Sequence, residues 1–156
     1  MDSIAGGGRG PHARAVRTAA YTRYGWMERR VVTPAEHWTE APADHDYPSA
    51  RDYITLLLPE KRARTLVAQL RRAAITRRMA KDILRASDLE LLPRDNVHVA
   101  ADLAKVAAGT PLSPVLLVRG RVLSAAMPLI IADGYHRICA SYWLDEDASI
   151  PCKLVG

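Results

Sequence analysis

A chain of 156 residues, 49% hydrophobic and 25% charged, suits one globular unit with room for a tail or a small added lobe. Its formal charge of +5 and isoelectric point near 9.5 favour anionic partners. Two cysteines, Cys139 and Cys152, make no disulfide framework or zinc pattern. No stretch approaches the roughly 18 apolar residues of a membrane span and no leader pattern opens the chain, which leaves the cytoplasm as the expected setting, with no membrane partner.

Residues 1–48 read as an arm followed by irregular chain. Gly6-Gly7-Gly8, Gly10-Pro11 and scattered arginines give residues 1–20 no sustained period, the pattern of a mobile arm. Trp26 and Trp38 want burial, but Pro34, Pro42 and Pro48 interrupt regular structure. One short helix or strand is expected there. Residues 49–87 read as a helical lobe. Ser49 caps a short helix through about Leu57, burying Tyr53, Leu56 and Leu57. Pro59 opens a second helix, in which Ala63, Leu66, Val67, Leu70 and Ala73 follow the i, i+3, i+4, i+7 spacing. A third, about Thr76 to Ala86, carries Met79, Ile83 and Leu84.

This lobe is where the positive charge gathers. Residues 60–94 hold ten Lys/Arg against four acids, an excess larger than the net charge of the whole chain. Such a run is either the solvated outer side of helices or a groove for phosphates. Few aromatic residues interleave with it, which argues against a stacking platform for single strands. Lys81 and Arg85 lie one helical turn apart and could reach a neighbouring pocket.

Residues 88–156 alternate helix and strand. Asn96 is the natural N-cap of a helix whose stripe is Val99, Leu103 and Val106, with Gly109 just past its end. A strand at Val115–Val118, a turn around Gly120, a strand at Leu129–Ala132, a helix from Gly134 to about Leu144 and a last strand at Ile150–Leu154 follow. The expected fold is α+β, a small mixed sheet with packed helices and the N-terminal helical lobe, with no internal repeat.

The chemistry concentrates in "ADGYHR", residues 132–137, where a buried strand meets a helix. First-turn N–H groups lack intrahelical partners and carry partial positive charge, so an anion placed there meets donors aimed at it. Gly134 lets backbone approach a ligand, Arg137 brings a planar fork of donors, and His136 can donate a hydrogen bond or serve as acid or base. Equally, Asp133 could cap the helix, Arg137 could pair with Asp133 or Glu146, and His136 could face solvent. Upstream, Asp95, Asn96, His98 and Asp102 fall within eight residues. His98 and Asp102 share a helical face as a pair that could orient an imidazole for proton transfer, provide two ligands to a metal, or form only a surface contact at a capped helix start. Asp145, Glu146 and Asp147 read as an acidic turn, not a metal site.

"ADGYHRICA", preceded by the apolar "PLIIA" and followed by "IPCKLV", resembles the ParB/sulfiredoxin superfamily over about residues 88–155. The upstream "DLAKVAAGTPLSPVLLV" is similar to the family's preceding helix and strand. The resemblance implies that the Gly134-Tyr135-His136-Arg137 turn cradles nucleotide phosphates. It also implies that the helix starting near Asn96 lies close to that turn, which makes Asp95, Asn96 and His98 further site candidates. Sulfiredoxin chemistry needs a cysteine where Tyr135 stands, and Cys139, one turn on, reads as a small packing residue. ParB proteins continue into a DNA-binding motif, whereas only 12 residues follow Leu144.

The expectation is a protein that binds a nucleotide or other phosphorylated ligand through Asp133, Gly134, Tyr135, His136 and Arg137. His136, and secondarily His98, would be the acid/base groups if magnesium-assisted phosphoryl transfer or nucleotide hydrolysis follows. The alternatives are a nucleic-acid-binding or nuclease-like protein using residues 60–94, and a non-catalytic interaction module.

Overall fold

A computed structural model describes residues 16–20, 27–31 and 35–156, which fall into two compact units, 1–35 and 36–156. In the first unit β1 (Val16–Ala20) pairs antiparallel with β2 (Met27–Val31), Val16 opposite Val31. Val16–Ala20 is therefore strand, where the irregular composition suggested a mobile arm. The glycine-rich stretch, Trp26 and Pro34 lie outside the described residues.

The second unit is α+β. In chain order it contains α1 (Asp46–Thr55), α2 (Glu60–Arg72), β3 (Ile75–Met79), α3 (Ala80–Ser87), α4 (Val97–Ala107), β4 (Val115–Val118), β5 (Ile130–Asp133), α5 (Tyr135–Leu144) and β6 (Ser149–Val155). The sheet order is β3-β6-β4-β5. β3 runs antiparallel to β6, β6 parallel to β4, and β4 antiparallel to β5.

Alternation along the strands divides the core in two. Leu116, Val118, Ile130, Ala132 and Val155 point to one face, where they pack with Tyr47, Ala50 and Ile54 of α1 and Ala63, Leu66, Val67 and Leu70 of α2. Val115, Leu117, Ile131, Ile150 and Cys152 point to the other. There they meet Ile83 and Leu84 of α3, Val99 of α4, and Ile138 and Cys139 of α5. β4 is buried on both faces, which is why it reads as a continuous apolar run.

Two helices differ from the expectation. α1 begins at Asp46, so Ser49 is not its cap but an internal residue whose hydroxyl donates to the His45 carbonyl at 3.0 Å. Pro48 is tolerated because first-turn N–H groups have no helical partner to lose. The shifted frame buries Tyr47, Ala50 and Ile54 and leaves Tyr53 and Leu56 41% and 80% exposed. The expected helix Thr76–Ala86 is a strand followed by a short helix. β-Branched Ile75 and Thr76 enter the β6 ladder, opposite Lys153 and Cys152. The helical period restarts only at Ala80, burying Ala80, Ile83, Leu84 and Ser87, while Met79 is exposed. Residues 49–87 thus supply a strand of the common sheet as well as helices.

The helix from Val97 is as expected. The Asn96 side chain accepts from the N–H groups of His98 and Val99 at 3.0 and 3.3 Å, and Gly109 takes φ +70° beyond the helix end.

Candidate functional site

The turn from β5 into α5 is built around Gly134, which stands as N-cap with φ +100°, a region that side-chain-bearing residues rarely adopt. A β-carbon there would come 2.5 Å from Cγ1 of Val115 on the neighbouring strand. Packing inside the protein is enough to require this glycine. No side chain caps the first turn of α5.

Arg137 folds back beneath that turn. Its guanidinium donates to Asp133, to the Ser113 carbonyl at 2.5 Å, and to both carboxylate oxygens of Asp46 at 3.4 Å. Asp46, almost wholly buried, also accepts from the Ala43 N–H at 3.1 Å and from the Ser113 hydroxyl. One cation therefore serves two carboxylates. Burial pushes the Asp133 carboxyl up to about 6; Arg137 opposes that rise and Asp46 adds to it. Of the pairings weighed for Arg137, the one with Asp133 forms, and Asp46 joins it from 91 residues away.

Above this buried network opens a cleft of about 580 Å³. Asp133, His136 and Arg137 line one side, His98, Asp102 and Lys105 of α4 a second, and His45 and Ser49 at the start of α1 a third. The His98 and His136 rings lie 4.6 Å apart between centroids, tilted by 42°. Asp102 does not orient His98 by a hydrogen bond; it receives Lys105 Nζ at 2.8 Å. Burial lowers the His136 pKa below its ordinary value; His98 and Arg137 lower it further, and Asp102 opposes them.

The other sequence-derived candidates fall elsewhere. Tyr135 turns from the cleft, its hydroxyl donating to the Glu90 carbonyl, and burial raises its pKa. Asp95 is exposed and Asn96 is occupied as the α4 cap. Lys81 and Arg85 line a separate depression of about 430 Å³ beside Tyr142, and are paired with Asp147 and Asp82. Neither lines the His136 cleft. Among the described residues no three His, Cys, Asp or Glu side chains are grouped to hold a metal ion. Cys139 and Cys152 are buried thiols with pKa values raised by burial.

Sequence reasoning missed Asp46, Ser113 and Lys105. Lys105, one turn beyond Asp102, carried a readable i, i+3 signal. Asp46 and Ser113 carried none, since only the tertiary fold brings them beneath Arg137.

Fold and cleft together define an α+β domain with a mixed four-stranded sheet and a polar cleft where β5 passes into α5. No family model, curated protein or solved structure matches the chain.

Proposed function

We propose that this chain binds a nucleotide or another phosphorylated small molecule in the cleft at the start of α5. The observation that carries the reading is the convergence of His98, His136 and Lys105 on one cleft beside an uncapped helix N-terminus. Imidazole and ammonium donors suit phosphate oxygens, and the helix end adds partial positive charge. The similarity of "ADGYHR" to the phosphate-cradling turn of ParB/sulfiredoxin proteins supports the same ligand class. In this reading Arg137 acts as the floor of the site, holding Asp133, Asp46 and Ser113 in place, and His136 is the group exposed to ligand. Magnesium would enter with the nucleotide's own phosphates. Phosphoryl transfer or hydrolysis, if it follows, would use His136 as acid or base.

The test is a thermal-shift screen against nucleoside di- and triphosphates, with and without magnesium, on wild type, Lys105→Gln and His136→Gln. A saturating ligand raises the wild-type midpoint by several degrees and the variants' by much less. The proposal is wrong if no phosphorylated ligand stabilises wild type more than the variants.

A second reading keeps one specific observation, that β3 is an edge strand exposed along its whole length and carries Arg77 and Arg78. Duplex binding there would weaken steeply with added salt and survive His136→Gln, whereas cleft binding would do neither.

A further inference from the structure

We infer that the cleft is specific for a terminal phosphate, the dianionic group of a phosphomonoester, and that binding draws a proton onto the His98–His136 pair. The inference rests on the cleft reading above and adds the charge state of ligand and site to it.

The geometry is the starting point. His98 is the second residue of α4 and His136 the second of α5, so the packing of these two helix starts holds the rings side by side. Both line the cleft. Neither ring has a hydrogen-bond partner among the described residues; the Asn96 contact to His98 uses its backbone N–H. Ring nitrogens at the mouth of a cleft are thus left to whatever enters it.

The surrounding charges explain why the protein does not satisfy the pair itself. From α4 the pair faces Asp102, which Lys105 already occupies. From β5 it faces Asp133, which Arg137 occupies, and on its own helix His136 adjoins Tyr135 and Arg137. Across the cleft His45 stands 3.4 Å from Asp46. Every nearby carboxylate is committed to a cation. With rings 4.6 Å apart, a second proton on the pair meets the charge of the first, and Asp102, shared with Lys105, offsets it only in part.

A ligand can offset it. A phosphomonoester carries between one and a half and two negative charges near neutral pH, against one for a diester. Its oxygens accept from both imidazolium rings at once, so bound ligand and doubly protonated pair stabilise each other. A diester supplies less charge and leaves one proton uncompensated. The same linkage makes affinity fall as pH rises, because each binding event must bring a proton with it. Two imidazoles also suit a transition metal, but Asp102, on the same helix as His98, is held by Lys105, and among the described residues no three His, Cys, Asp or Glu side chains are grouped to hold a metal ion.

The experiment is isothermal titration of the full chain with adenosine 5′-monophosphate, its 3′,5′-cyclic diester and inorganic phosphate. It is run in two buffers of different protonation enthalpy, from pH 6 to 8, with a chelator present. The monoester is expected to bind with uptake of between one and two protons and to weaken at least about tenfold per pH unit above neutrality. The cyclic diester is expected to bind at least about tenfold more weakly. His136→Gln and His98→Gln should each weaken binding, lower the proton uptake by up to one proton and make the pH profile correspondingly shallower. His98 is exposed on a helix surface, so its variant keeps the test valid should His136→Gln misfold. Equal binding of monoester and diester, binding without proton uptake, or loss of binding on chelation overturns the inference and leaves the cleft reading standing. Absence of binding by every probe, together with a blank nucleotide screen, overturns both.

Discussion

Arg137→Met tests the polar floor of the cleft most directly, because it removes the guanidinium shared by Asp46 and Asp133 while keeping most of the side-chain volume. In the native protein the Arg137 side chain is 13% exposed and that of Asp46 4%. At 3.4 Å and an effective dielectric near 20, the Asp46–guanidinium attraction is worth about 5 kcal/mol before desolvation is set against it. Deleting one partner of a buried pair leaves a charge uncompensated and costs about 3–5 kcal/mol net. The loss should depend on pH. With its carboxyl raised to about 6, Asp133 is protonated at pH 5 and makes little use of Arg137, whereas at pH 7.5 it relies on it. Denaturant unfolding followed by circular dichroism at the two pH values is the assay. The expected loss is about 3–5 kcal/mol at pH 7.5, a midpoint drop of roughly 10–15 °C, and about 1–2 kcal/mol less at pH 5. Adding Asp133→Asn should recover part of it. An equal loss at both pH values, or one below about 1 kcal/mol, would refute the reasoning.

Asp133→Asn alone reports the same carboxyl. Its folded-state value lies above the ordinary 3.8, so the native state keeps a proton that the unfolded chain has released. Wild-type stability should therefore fall by about 2–3 kcal/mol as pH rises from 4 to 6 and level off above, and the Asn variant should lose that slope in pH-dependent urea titrations. Gly134→Ala, forced to φ +100° against Val115, should cost about 2–4 kcal/mol by the same measurement. Asn96→Ala should cost about 1 kcal/mol, through two N–H groups left uncapped; a change below a few tenths would remove the capping role. Cys139 and Cys152 should resist a thiol reagent in native protein and react fully in denaturant, and rapid native labelling would contradict their burial.

Much of the second unit was legible because local chemistry and tertiary packing agree there. Asn96, Gly109 and the Val115–Val118 run each carry a local signal that the fold uses as it stands. Ile75–Met79 misled because Met79, Ile83 and Leu84 happen to satisfy a helical period, while the preference for strand comes from pairing with β6, more than 70 residues on. The site was legible as far as the β5–α5 turn. His98 was placed near it through the superfamily resemblance, yet its partner proved to be His136 and not Asp102. The engagement of Arg137 by Asp46 lay beyond reach, since a single acid before a tyrosine and a proline carries no mark of a contact made 91 residues later.

The exposed edge of β3 also bears on solubility. An unpaired strand edge is a template on which a second chain can extend the sheet. The opposite edge, β5, is short and largely buried, so it offers little to an incoming strand. Among the described residues no strand pairs with the outer edge of β3, which bears Arg77 and Arg78 in its middle, one toward each face. Two molecules approaching edge to edge would bring like-charged guanidinium groups near one another on each face of the sheet, and that repulsion opposes fibre-like association. These arginines thus oppose strand-to-strand association at that edge, whatever else they touch.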